Sequence, residues 1–551
     1  MSETPQNSPL LAYHVRTKHR FEAFAEGPGQ LDWDAQPDAF RRYPGAPLLE
    51  LPLSGDRYER PYGQLNRPPA APIAPDRDSL GALLELSFGI SAWKSWGPSR
   101  WALRCNPSSG NLHPVEAYVL SAGLPDVPDG LHHYDPKDHL LEGRALRPAD
   151  HPADSSRWLV VGLSSVMWRE AWKYGERAFR YCQLDVGHAV GALSYAAALL
   201  GWQLEVLPLP GETQARLLGI DRPDDFPPSR YAYTEAEEAE ILLAVHAPGL
   251  ASPTGELADW LATAHWQGTP SQIDPAPGYR WPVIGQAATA SRSSGAATAQ
   301  PSFPDFPALS GHATSLGAAQ IIRQRRSGQR FDPRTTLDKA DFYRMLDATL
   351  PRPQTPFATQ EADPAVHLLL FVLRVDGLPS GLYLLPRTPE GAATLPAVIG
   401  AVDQRFAGRC LVADTDPACP AHLGLTLLAP LELPEMQRLA RALSCHQDIA
   451  ATSAFSLGML ADLGGLSEDD HAYRRLLREA GLIGQVLYLE AEAAGIRGTG
   501  IGCFFDDPVH NAFGIADPRW QSIYHFTVGT PVIDTRIETG PPYPHRQQET
   551  P

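Results

Sequence analysis

The feature that most constrains this chain is that its second half repeats the order of its first. A strand-like run, Val115 to Leu120, leads to Gly130-Leu131 and HHYDP; another, Val366 to Val372, leads to Gly381-Leu382 and YLLPR. A long helical stretch follows in each half. Read without gaps, these stretches pair Ala178 with Ala472, Arg180 with Arg474, Asp185 with Glu479, Gly187 with Gly481 and Gly201 with Gly495. Self-similarity on this scale means one folding unit present twice. Two copies on one chain imply an internal pseudo-dimer, and 551 residues suffice for two large cores.

The pattern divides the chain into an arm over 1–60, a first unit over 61–249, a linker over 250–310 and a second unit over 311–551. The arm, with YHVRTKH at Tyr13 to His19, lacks a clear period and is expected to lie over a domain surface. His14, Lys18 and His19 read as anchors. Ser79 to Trp93 has helical apolar spacing with Ser79 as its cap. A single long helix is expected from Arg169 onward. Gln286 to Pro301, QAATASRSSGAATAQP, reads as a featureless flexible linker.

Composition narrows the function classes. The chain has 46 Lys and Arg against 63 Asp and Glu, a net charge of −17, so nucleic acid and anionic membranes are poor partners. The opening MSETPQNSPLL has no signal-peptide pattern, and VHLLLFVLRV is too short to span a bilayer, so a soluble cytoplasmic protein is expected. Six scattered cysteines form no metal-ligand spacing, so reduced, mostly buried and inert thiols are expected, with no metal. Cys445 and His446, if on a strand, would face opposite ways and form no pair.

The two halves keep different chemistry. Only the first has the turn-rich loop RCNPSSGNLHPVEAY, where Pro107, Ser108, Ser109 and Asn111 offer small side chains and free amides to a flat polar ligand. Only the first has the pair Lys173-Tyr174; Ser467 and Glu468 stand opposite. Only the second has QRRSGQRF, where Arg325, Arg326, Ser327 and Arg330 suit a phosphate. Only the second has GIRGTGIGCFFDD, a run of glycine amides at Gly500, Ile501, Gly502 and Cys503. Complementary half-sites of this kind make one composite site between the units and leave its mirror image without parts.

Taken in order, RRSGQRF, PSSGNLHPVEAY, WKYGERAFRY and AGIRGTGIGCFFDD resemble the flavin-dependent nitroreductase superfamily, and most closely its SagB-type branch, the azoline dehydrogenases of thiazole/oxazole-modified peptide pathways. The resemblance implies an α+β fold, a mixed sheet flanked by helices, in two nitroreductase-like domains fused as an intrachain pseudo-dimer. It implies one FMN per chain. Arg325, Ser327, Arg326 and Arg330 would hold its phosphate, with Arg536 as a weaker candidate. Amides near Gly500 to Cys503 would face the flavin, and Pro107, Ser108, Ser109 and Asn111 would hold the ring or ribityl chain. It assigns catalysis to Lys173 and Tyr174, as base and hydrogen-bond donor in either order. A base role for Lys173 requires burial or a nearby cation such as Arg177 or Arg180.

The expected activity is thus an FMN-dependent dehydrogenase of a modified peptide or other small-molecule natural product. Alternatives are an NAD(P)H-dependent reductase of nitro, quinone or enone substrates, and a non-catalytic scaffold in a biosynthetic complex. NAD(P)H or O2 would serve as electron partner. No strand–GxGxxG–helix unit is found, so NAD(P)H would have no dedicated fold. Assembly beyond the internal pseudo-dimer is left open.

Overall fold

The computed structural model describes residues 8–69, 71–148, 156–253, 257–296, 300–400 and 404–546. Two sheets dominate it. In the first, the strand order is Leu48–Glu50, Leu140–Leu146, Gly130–Asp135, Val115–Ala122, Trp158–Ser165, Glu238–His246, Gln203–Val206. In the second it is Cys410–Leu411, Thr426–Pro430, Gly381–Leu385, Val366–Val372, Phe455–Asp462, Trp520–Gly529, Arg497–Ile501. From the second position on, the two orders match strand for strand. Every described pair along both paths is antiparallel, so the mixed pairing implied by the resemblance does not arise within them.

The repeated Gly-Leu pair has one job in both sheets. A Cβ on Gly130 would lie 2.3 Å from the Ala145 carbonyl, and one on Gly381 would lie 2.4 Å from that of Ala429. Each glycine lets the next strand approach, and each is followed by a register shift, at Leu131/His132 and at Leu382/Tyr383.

The long helices Ala178–Leu200 and Ala472–Ala493 pack against each other through the centre of the molecule. They meet at the glycines that the gapless pairing aligned. A Cβ on Gly187 would stand 2.2 Å from the Arg478 carbonyl oxygen, and one on Gly481 2.3 Å from that of Leu184. Backbone touches backbone there, which only glycine permits. The first helix is buried along its whole length and ends at Gly201, whose φ of 78° makes a left-handed cap.

Several local expectations are corrected. The helix expected from Arg169 is broken into Met167–Tyr174 and Ala178–Leu200 at Gly175, with φ 55°. A Cβ there would lie 2.3 Å from the carbonyl of Glu26, so the arm packs into the break. The helix Arg77–Phe88 is capped by Asp76, with Ser79 completing a reciprocal capping box, and Ile90–Trp96 is already strand. The arm over its described part contains the helix Pro9–Arg16, capped by Ser8, with fully buried His14 contacting Tyr473 and Gln521 at 2.9 and 3.2 Å. Residues 1–7 lie outside the described residues.

The stretch expected as featureless linker is structured where described. Helix Pro282–Ala290 covers its start, and the Arg474 guanidinium donates to the Ser291 hydroxyl (2.9 Å) and the Ala288 carbonyl (2.6 Å). Residues 297–299 lie outside the described residues. Cys445 and His446 are not on a strand: they form a turn after helix Leu433–Leu443, with φ of 49° and 60°.

A small third sheet joins the tail to the first half. Tail strand Glu538–Gly540 adds to the hairpin Ile90–Trp96 and Ser99–Arg104, setting Thr539 opposite Lys94.

Candidate functional site

A cavity of about 440 Å³ opens between the two halves, walled by the 104–113 loop, both long helices, the 325–329 segment, the strand at 497–501 and the tail. It brings together most of the residues singled out in the sequence.

The Ser/Asn loop makes one wall. Gly110, Asn111 and His113 all have left-handed backbones, with φ of 58°, 61° and 53°. The loop is clipped to the first long helix by Asp185, which accepts from the Ser109 amide at 3.0 Å and the Ser109 hydroxyl at 2.9 Å. Burial pushes the Asp185 carboxyl up to about 7 despite these donors. The Ser108 hydroxyl accepts from the His113 amide at 2.8 Å. Asn111 donates to the Ala102 carbonyl at 2.9 Å and meets His113 Nε2 at 3.1 Å, so its side chain shapes the loop. Pro107 lines the cavity.

Lys173 and Tyr174 end the short helix Met167–Tyr174 and rest on this loop. A Cβ on Gly110 would lie 2.5 Å from Tyr174 Oη and 3.1 Å from Lys173 Nζ. Burial lowers the Lys173 ammonium pKa, opposed by Glu170. Arg177 and Arg180, expected to lower it, are instead bound to Asp506, at 3.0 Å each. Glu170 is buried with neither carboxyl oxygen paired among the described residues, and burial holds its pKa well up, which favours the protonated acid.

The opposite end is basic. Arg325 caps helix Ala318–Gln324 and is buried; one Nη donates to the Arg104 carbonyl at 3.0 Å, and its Nε has no partner among the described residues. Arg326 donates to the carbonyls of Arg323 and Arg325 at 2.7 Å and of Ser91 at 3.2 Å. Among the described residues neither guanidinium forms an ion pair with a carboxylate. Burial, followed by Arg325, lowers Arg326 to about 10. Lys94 and Arg497 line the same end; burial, then Arg326 and Arg497, lowers the Lys94 ammonium pKa. The Ser327 hydroxyl lies 2.9 Å from that of Tyr488. Two expected members do not line the cavity: Arg330 is exposed, its carbonyl accepting from the amide of cavity-lining Val532 at 2.8 Å, and Arg536 is 72% exposed and paired with cavity-lining Asp534 at 2.6 Å.

The glycine run is an edge strand and not a loop over Arg497–Ile501. Its glycines answer to aromatic neighbours: a Cβ on Gly500 would lie 1.8 Å from Tyr524 Oη, and one on Gly502 2.1 Å from the Tyr181 ring. The Gly500 amide donates to Tyr488 Oη at 3.0 Å. Ile501, Gly502 and Cys503 line the cavity. Cys503 is partly buried, and the neighbouring Cys445 thiol, His19 and Arg177 lower its thiol pKa against the opposing effect of burial.

Sequence reasoning missed Asp185 as a site residue, and also Lys94, Arg497, Tyr181, Tyr488 and Tyr524. The repeat had aligned Asp185 with Glu479, a carboxylate at an equivalent place in each half, and that signal was available. Lys94, by contrast, sits on a strand with no local pattern.

No family model matches the chain, and no curated protein matches it. Among solved structures, it is similar to a protein of Anabaena variabilis provisionally named a nitroreductase, with 23% identity, a TM-score of 0.65, 96% of this chain covered and 100% of that one. The chain is an α+β protein of two domains with the nitroreductase-like fold. Shorter matches include the E. coli microcin synthetase McbBCD complex (15% identity, TM-score 0.27, 42% of this chain and 79% of that one) and an FMN-bound Exiguobacterium sibiricum protein, also provisionally named a nitroreductase (14%, 0.23, 40% and 91%).

Proposed function

We propose that this chain is an FMN-dependent oxidoreductase, and more narrowly a dehydrogenase that converts an azoline-type ring in a modified peptide or related natural product to its azole. One observation carries the reading. A cavity between the halves has an end with Arg325 and Arg326 free of carboxylate partners, and a wall where Tyr174 Oη and Lys173 Nζ meet Gly110.

The residues present fit FMN. The unpaired buried Nε of Arg325 points to a missing acceptor, and a phosphate would supply it. Arg325, Arg326 and Lys94 would hold that phosphate, with Ser327 beside them. The cavity between the 107–111 loop and 500–502, about 440 Å³, has room for a flat ring. When bound, FMN supplies a two-electron acceptor.

The chain's own residues supply proton handling. Lys173, with its ammonium pKa lowered by burial, is suited to accept a proton from a substrate carbon or nitrogen, and Tyr174 Oη to hydrogen-bond the anion that develops. Burial of Glu170 disfavours its charged form, which limits how far it can raise the Lys173 ammonium pKa. Asp185 holds the loop in register.

The test is the visible absorbance of the purified protein with released flavin counted per chain. One FMN per chain is expected, and Arg325→Ala and Lys94→Ala, in different halves, should each lower occupancy. Two FMN per chain, or none after incubation with excess FMN, would refute the composite site.

A further inference from the structure

A buried line of charges runs from the first sheet to the Ser/Asn loop. His133, on strand Gly130–Asp135, is fully buried, and both of its ring nitrogens meet carboxylates: Nδ1 lies 2.8 Å from Glu142 Oε2 and Nε2 lies 3.1 Å from Glu116 Oε2. Each contact needs a proton between nitrogen and oxygen. A neutral imidazole has one, so the ring takes two. Strand pairing builds the arrangement. Glu142 stands directly opposite His133 on one neighbouring strand; Tyr118 stands opposite on the other, with Glu116 two residues along and so on the same face.

The line continues to the cavity. The second Glu116 oxygen, Oε1, accepts from Arg169 Nη1 at 2.5 Å, and the same Nη1 donates to the His113 carbonyl at 2.8 Å. Arg169 is 1% exposed, and its Nε is spent on the Asp38 carbonyl at 2.7 Å. His113 closes the loop, with its amide on the Ser108 hydroxyl.

We propose that His133 is a positioning residue for the cavity loop: doubly protonated, it fixes Glu116, Glu116 fixes Arg169, and Arg169 holds the His113 carbonyl. That the loop in turn serves a flavin rests on the function proposed above. The arrangement gives the loop an alkaline limit. Burial alone would lower the ring's pKa; Glu116 and then Glu142 override it and raise it to about 9. The hold is therefore complete below about 6.5 and is lost as pH rises through about 9. The other groups around the ring do not change charge in that window. Tyr43 and Tyr118 flank it, with centroids at 5.0 and 5.2 Å, and burial holds both phenols far above their ordinary range. Asp135, on the same strand, is raised by burial to about 6 and is ionised by pH 8. Arg169, Arg104 and Arg41, which surround Glu116, stay cationic.

The test is hydrogen exchange on the full chain, read by mass spectrometry on the peptide spanning 106–114 at pH 8 and pH 9.5. Rates are corrected for chemical exchange and referred to strand Phe455–Asp462 in the other half. In wild type the loop should lose about threefold to eightfold of its protection between the two pH values, eightfold being the ceiling for a pKa of 6.5 raised to about 9. Glu142→Gln removes the need for the second proton: its amide can donate to Nδ1 of a neutral ring while its carbonyl still accepts from the Tyr43 amide, as Glu142 Oε1 does at 2.9 Å. The loop should stay protected in that variant at both pH values. Lys173, which rests on the same loop, is present in both proteins and cancels in the comparison. His133→Ala should expose the loop already at pH 8; if it does not fold, the Glu142→Gln comparison decides alone. Unchanged protection in wild type, or equal losses in wild type and Glu142→Gln, would overturn the proposal and reduce the network to a stability element. FMN titration of the same two proteins separates the two readings. Wild type should lose affinity relative to Glu142→Gln at pH 9.5. Binding by neither would refute the flavin reading and leave the exchange result standing.

Discussion

Asp185→Asn isolates a buried carboxyl whose titration is written into stability. Asp185 is 1% exposed and accepts the Ser109 amide and hydroxyl, yet burial raises its pKa from 3.8 to about 7. The sign follows. The folded chain holds this proton more tightly than the unfolded chain, so the contribution is fully present below 3.8 and is lost as pH rises through about 7. Between pH 5 and pH 8 the loss from this one group amounts to about 2–3 kcal/mol. Asparagine keeps the acceptor oxygen and cannot ionise. Urea unfolding of the full chain at both pH values should therefore show a drop in wild type that is smaller by about 2–3 kcal/mol in Asp185→Asn. Equal drops in the two proteins, within about 1 kcal/mol, would mean that Asp185 is ionised without penalty in the folded state, and the argument from burial would fail.

Other consequences are as direct. Arg325→Ala removes a buried charge-assisted donor and should weaken FMN binding by about tenfold to a hundredfold, read by quenching of flavin fluorescence. Gly187→Leu places side-chain atoms where the Arg478 carbonyl stands 2.2 Å from the Cβ position, and should lower unfolding stability by about 3 kcal/mol or more; an unchanged urea midpoint would refute the backbone crossing. Tyr174→Phe and Lys173→Gln should each slow flavin reduction by a synthetic thiazoline peptide about a hundredfold in stopped-flow absorbance. Gly110→Ala, which drives a methyl toward Tyr174 Oη from a φ of 58°, should slow it similarly with flavin content maintained.

The parts legible in the sequence were those where one residue type leaves no alternative. Gly187 with Gly481, and Gly130 with Gly381, aligned because each tolerates no Cβ, and the structure puts each pair at equivalent contacts. Arg325 and the Ser109 loop were legible because their chemistry is dense along the chain. Local pattern failed where tertiary contacts decide. Gly175 breaks a helix because the arm lies against it, and the glycines at 500 and 502 make room for Tyr524 and Tyr181. Arg536 had the right charge but lies beside Asp534 in the tail. Lys94, Tyr181, Tyr488 and Tyr524 line the cavity from segments far apart in sequence, and no window of the chain holds that information.

The mirror-image position shows how the two halves of the pseudo-dimer differ. A smaller space of about 190 Å³ lies there, lined by Glu479, Leu482 and Arg475 where the main cavity has Asp185, His188 and Tyr181. The carboxylate clip survives: Glu479 accepts the Ala365 amide at 2.9 Å, as Asp185 accepts that of Ser109. Its charge, though, is taken by Arg387. The arginines that line this space are also committed, Arg478 to Glu361 and Glu240 and Arg475 to Asp469. An anion arriving there would have to displace carboxylates already in place, whereas one arriving at Arg325 and Arg326 would displace none. The two sites therefore differ in electrostatics as well as in size, which explains how a duplicated fold can keep its scaffold at both positions and a ligand-ready cavity at one.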